Sequence, residues 1–87
     1  MTVQSFGDKV NTNGEYATLE SLTDITFTVG EKYYISASRG TLKIADCQID
    51  FSNGNKLIIT QGSEDLYFKT SEIGARLDVL ELEEPQT

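Results

Sequence analysis

Glycines at positions 14, 30, 40, 54, 62 and 74 cut this chain into segments of eight to sixteen residues, most of them rich in Thr, Ile, Val, Tyr and Phe. Short β-favouring runs separated by regular turn residues point to an all-β domain. No stretch longer than a turn or two carries apolar residues at helical spacing, so helix is expected to be minor. The reading is a small antiparallel sandwich or barrel built from hairpins and meanders, with about six to seven strands.

The segment Cys47–Thr60, CQIDFSNGNKLIIT, carries the strongest local signal, because two apolar-rich runs flank Ser52-Asn53-Gly54. A three-residue loop with Gly54 left-handed sets Ile49 against Leu57, Cys47 against Ile59 and Asp50 against Lys56, matching apolar to apolar and acid to base. A further loop at Gly62-Ser63-Glu64-Asp65 sets Ile59 against Phe68 and Gln61 against Leu66, which extends the hairpin to a three-stranded meander. Upstream, Tyr16 to Leu22 alternates weakly and reads as a strand. Ile25, Phe27 and Val29 alternate with Thr26 and Thr28 as a half-buried strand. Tyr33 to Ser38 pairs with it through either a three-residue turn or a two-residue turn at Gly30-Glu31; the sequence leaves both open. Arg39-Gly40 marks a turn, and a bulge near Ala45-Asp46 accounts for the apolar phase moving from Leu42 and Ile44 to odd positions. The last strand runs from Ala75 to Leu82.

At 87 residues the chain is one domain. Residues 1–15 are expected as an N-terminal arm or flexible leader, 16–82 as the β domain and 83–87 as an acidic tail. No apolar run reaches the ~18 residues of a membrane-spanning helix, and MTVQSFGDKVNTNGE lacks the basic start and apolar block of a signal peptide. No membrane partner and synthesis in a cytoplasm are the expectations. The net charge of −7 and pI near 4.3 disfavour nucleic acid as a partner, since phosphate affinity needs clustered cations and the seven here are scattered. A basic partner surface suits such a chain better.

Without histidine and with a single cysteine, neither a Ser-His-Asp or Cys-His catalytic arrangement nor a usual zinc site can be built. Cys47 reads as a small buried apolar residue. Asp50 to Asn55 alternates oxygen donors, but its glycine sits at the fifth place and Gln61 stands where an EF-hand needs a bidentate Glu. Carboxylates alone, Glu64-Asp65 or Glu81, Glu83 and Glu84, are more simply solvated than catalytic. The expectation is no enzyme, no cofactor, no metal and no catalytic residue.

What remains are outward apolar and aromatic side chains. In a strand one of Tyr33 and Tyr34 must face away from the core, and Tyr67 opposes Leu66 and Phe68 in the same way. Leu57-Ile58-Ile59 and the end of the last strand, with Leu80 and Leu82, are apolar on both faces. Either such strands are covered on both sides by their own chain or carry a local phase shift, or a second subunit covers them. The candidate interface or ligand-stacking residues are Tyr34, Tyr67, Ile58, Leu80 and Leu82.

The phrases ITFTVGEKYYISA, NGNKLIITQGSEDLYFKTSE and GARLDVLE, spanning residues 25–82, resemble small β-rich accessory proteins of tailed-bacteriophage virions: a threonine-rich strand, a glycine turn, a Tyr-containing strand, then a Gly-Ser turn before a Leu-Tyr strand. The resemblance implies a capsid-decoration, head-fibre or tail-fibre component, located in the virion. It implies synthesis in a host cytoplasm, partnership with itself as a homo-oligomer, commonly a trimer or other ring, and with other virion proteins, and a leader that reaches across a neighbouring subunit. The alternative is a small carbohydrate-binding module that stacks a glycan on Tyr34 and Tyr67. A nucleic-acid mimic would need a continuous acidic stripe, which Lys43, Lys56 and Lys69 interrupt.

Overall fold

The computed structural model describes residues 3–52 and 54–83. In chain order they form β1 (Ser5–Val10), β2 (Ala17–Thr18), α1 (Leu19–Thr23), β3 (Lys32–Ala37), β4 (Arg39–Ile44), β5 (Cys47–Ser52), β6 (Lys56–Thr60), β7 (Leu66–Lys69) and β8 (Ala75–Leu82). Two four-stranded sheets result, ordered β1-β8-β3-β6 and β2-β7-β4-β5, with every pairing antiparallel. Inward residues of both sheets meet in one core: Tyr33, Ile35, Leu77 and Val79 from the first, Leu42, Phe51, Leu66 and Phe68 from the second, closed at one end by Leu19 and Ile25. The all-β antiparallel sandwich is therefore the fold, with eight strands where about six to seven were expected. Except between β4 and β5, every connection carries the chain from one sheet to the other, and this strand order is that of a double-sheet jelly roll.

That topology overturns the local pairings. β5 and β6 do not form a hairpin: β5 pairs with β4 and β6 with β3, so the two strands lie in different sheets. Asn53 lies outside the described residues. Nor do β6 and β7 form a meander, since β7 pairs with β2 and β4. The within-sheet hairpin lies where a bulge was expected. Ile44 faces Cys47 and Leu42 faces Ile49, so Ala45-Asp46 is a two-residue turn. Such a turn pairs even with odd positions, which is the observed shift in apolar phase. Ala45 has φ +53° while Asp46 is not among the positive-φ residues, the type II′ pattern that favours glycine at its first position. Replacing Ala45 by Gly should raise stability by roughly 0.5–1 kcal/mol, the relief of about 1–2 kcal/mol of left-handed strain less the entropy glycine adds to the unfolded chain. Urea unfolding measures it; a loss of stability would contradict this turn.

Five further expectations are corrected. Residues 16–22 are not one strand: after the short β2, Thr18 Oγ1 accepts the Ser21 N–H at 3.3 Å and opens a single helical turn, which Asp24 ends with φ +59°. Residues 25–28 belong to no strand and Val29-Gly30 forms a turn closed by the Glu31 N–H on the Thr28 carbonyl; Ile25 is buried, whereas Val29 is 67% exposed. Gly40 is not at a turn but inside β4. Residues 5–10, expected within an arm or flexible leader outside the β domain, are the edge strand β1, paired with β8 from Ser5 opposite Leu80 to Val10 opposite Ala75. Cys47 is exposed, because it ends an edge strand beside the turn, away from the core cluster. The expected acidic tail, residues 83–87, lies outside the described residues beyond Glu83.

Candidate interaction surface

β3 is central in the first sheet, and its alternation settles the two adjacent tyrosines. Tyr33, Ile35 and Ala37 are buried, so Tyr34 points from the opposite face. In register, Tyr34 lies opposite Leu80 of β8 on one side and Ile58 of β6 on the other. Leu80 is 39% and Ile58 62% exposed. Leu82, two residues along β8 from Leu80, stands opposite Lys32 on the same face. Four of the five candidate residues thus converge into an apolar stripe running across the outer face of the sheet, Leu80–Tyr34–Ile58 with Leu82 beside it.

Around the stripe the same face turns polar. Ser36 lies between Asp78 and Lys56, and Arg76 pairs with Asp78 at 3.0 Å. An apolar centre with a charged rim is the anatomy of a protein interface. A shallow recess lined by Tyr34, Lys56, Leu57 and Ile58 lies where the stripe reaches the edge of the sheet.

Tyr67 is elsewhere. It lies in β7 between buried Leu66 and Phe68, pairs across strands with Lys43 and Thr18, and faces out from the second sheet. Tyr34 and Tyr67 therefore look away from opposite faces of the sandwich and cannot bracket one sugar.

The second sheet carries a group that the sequence did not indicate. Tyr16 lies beneath two ammonium groups, Lys69 Nζ at 4.7 Å and Lys43 Nζ at 5.4 Å from its ring centre. The signal is long-range: Lys43 stands opposite Tyr67 and Thr41 opposite Lys69 only once β4 and β7 are paired. Beside it an open groove is lined by Arg39, Thr41, Asp50, Ser52 and Lys69, but its polar groups already serve one another. Arg39 Nε binds Glu72 Oε2 at 3.0 Å and Thr41 Oγ1 donates to Asp50 Oδ1 at 3.0 Å. Among the described residues no three His, Cys, Asp or Glu side chains gather as a metal would need.

No family profile, curated protein or solved structure matches this chain. The class of molecule is accordingly defined by the fold and the surface alone: a small jelly roll with an exposed apolar stripe on one sheet.

Proposed function

We propose that this protein is a non-enzymatic structural component of a tailed-bacteriophage virion, a capsid-decoration, head-fibre or tail-fibre protein that works by protein–protein assembly, with itself and with other virion proteins. The observation that carries this reading is the Leu80–Tyr34–Ile58 stripe, apolar side chains held outward in register on a rigid sheet. Jelly rolls recur in viral capsid domains, which supports the reading by fold-level analogy. The resemblance of residues 25–82 to phage accessory proteins points the same way. On opposite faces, Tyr34 and Tyr67 would serve a glycan only as two separate platforms, whereas the apolar stripe gathers four candidate residues on one face.

The test is co-sedimentation of the purified protein with particles of the phage that encodes it. The wild-type chain should pellet with particles in fixed stoichiometry. Replacing Tyr34 by Ser together with Leu80 by Lys should cut binding at least tenfold, as loss of central interface anchors does. Because both side chains point outward, thermal unfolding of the variant should stay close to wild type. Absence of the protein from every particle preparation would refute the reading.

A further inference from the structure

Four strands end the two sheets, and three of them are poor templates for another chain. β2 has two residues, β1 carries Gly7, Asp8 and Lys9 in its middle, and β5 is interrupted by Gln48 and Asp50 among its exposed positions. β6, Lys-Leu-Ile-Ile-Thr, has no Pro, no Gly, no acid, and its one charge at its first position. Natural sheets blunt such an edge, and among the described residues no strand covers this one.

The backbone bonds flanking β6 fix which of its groups are free for a partner. Gln61 N donates to Glu31 O at 2.9 Å, and Ala37 N donates to Asn55 O at 3.5 Å. In an antiparallel strand both polar groups of a residue point the same way and alternate residues point oppositely. Odd-numbered residues of β6 therefore face β3, and Lys56, Ile58 and Thr60 present N–H and C=O to the open side. Among the described residues no strand pairs with that side.

We propose that a second copy of this chain docks there, β6 against β6, about a two-fold axis through Ile58. In this register Ile58 meets Ile58 of the other copy, and Lys56 meets Thr60. All three outward residues form hydrogen-bonded pairs, each exchanging two backbone bonds. The side chains agree with the backbone. On the outer face the two isoleucines join, so the apolar stripe of one copy continues into that of the other. On the inner face the half-buried Leu57 meets the half-buried Ile59. Lys56 comes opposite neutral Thr60, so no like charges are set face to face. A slip by one residue would aim inward-facing backbone groups at outward-facing ones, and a slip by two would set Ile58 against Thr60. Self-complementarity of this kind is what an isologous contact requires, and it selects a second copy over an unrelated strand.

The proposal deepens the assembly reading and rests on it for its biological use, but its test is separate. Sedimentation across the micromolar range should show a reversible dimer of twice the 9.6 kDa chain mass. Added salt should strengthen it by screening the net charge of −7 on each copy. Amide exchange in the same samples should show Leu57 and Ile59 protected at every concentration, with Lys56, Ile58 and Thr60 becoming protected only as the dimer forms. Ile58→Pro removes an N–H that the chain's own sheet does not use, so it should keep the fold and weaken dimerisation at least tenfold. Ile58→Lys, which keeps the N–H and opposes two charges, should do the same. A monomer at all concentrations overturns the proposal, and so does an oligomer in which the Lys56, Ile58 and Thr60 amides stay unprotected. The latter outcome would leave self-assembly standing through another surface. Particle binding by the Ile58→Pro monomer would show that the virion reading does not depend on this edge.

Discussion

Gly40→Ala should cost about 3–5 kcal/mol, most of the stability of a domain this size. Two independent effects meet at this position. Gly40 has φ +145°, a region that L side chains rarely adopt. A Cβ there would also lie 2.3 Å from Phe68 Cζ and 2.7 Å from the Lys69 carbonyl oxygen. Phe68 is fully buried and packs against Phe51 with ring centres 6.4 Å apart, so its ring has no room to retreat. Gly30 is the internal control: its φ is +91°, but a Cβ there meets nothing within 4 Å. Gly30→Ala should therefore cost only the backbone term, about 1–2 kcal/mol. Chemical denaturation of both variants decides it, and equal losses would mean that the contact with Phe68 contributes nothing. Shrinking the ring with Phe68→Leu should recover part of the Gly40→Ala loss, a coupling that independent sites would not show.

This glycine also marks where sequence reading reached its limit. Its neighbour Arg39 and its place between two apolar runs read as a turn, yet its function is close approach between β4 and β7, elements far apart in the chain. What depended on one strand at a time was legible. β8 runs from Ala75 to Leu82 as read, Tyr34 and Tyr67 turn outward as alternation requires, and Ile58 and Leu80 are exposed. What depended on pairs of strands was not, because turn rules assume that consecutive strands are neighbours in one sheet. In a jelly roll most are not. The hairpin signalled by Ser52-Asn53-Gly54 is absent because β5 and β6 lie in different sheets, while Ala45-Asp46, with no glycine or asparagine to announce it, is the hairpin. Tyr34, Ile58, Leu80 and Leu82 share one face because outward parity places them there, and parity needs no knowledge of the partner strand. The separation of Tyr67 from Tyr34, and the gathering of Lys43 and Lys69 over Tyr16, required the sheet assignment.

The second large effect is expected at Tyr33, and it explains why a segment that reads as a strand is not one. Thr26, Phe27 and Thr28 have the alternation and residue types of β structure, but β3 already has β8 and β6 on its two sides. With no edge of β3 free, the segment is held by side chains instead: Gln4 Oε1 accepts the Thr26 N–H at 3.2 Å, Glu20 Oε1 accepts the Phe27 N–H at 3.3 Å, and Tyr33 bridges the residues on either side of Phe27. The Thr28 N–H donates to Tyr33 Oη at 2.7 Å, and that hydroxyl donates to the Thr26 carbonyl at 3.3 Å. Phe27 packs on the same ring at 4.6 Å between centres. Tyr33 itself is fully buried. Tyr33→Ala removes the ring from the core and the anchor from the segment, and should cost about 3–5 kcal/mol. Tyr33→Phe keeps the ring but leaves the Thr28 N–H without its acceptor, and should cost about 1–2 kcal/mol. The two variants separate packing from tethering in amide exchange. In Tyr33→Phe the Thr28 amide should lose protection while Ile35 and Val79 keep theirs, since opening of residues 25–29 need not open the sheets. Uniform loss of protection across all three would show that the hydroxyl stabilises the whole sandwich and not this segment, and the tether would have to be abandoned.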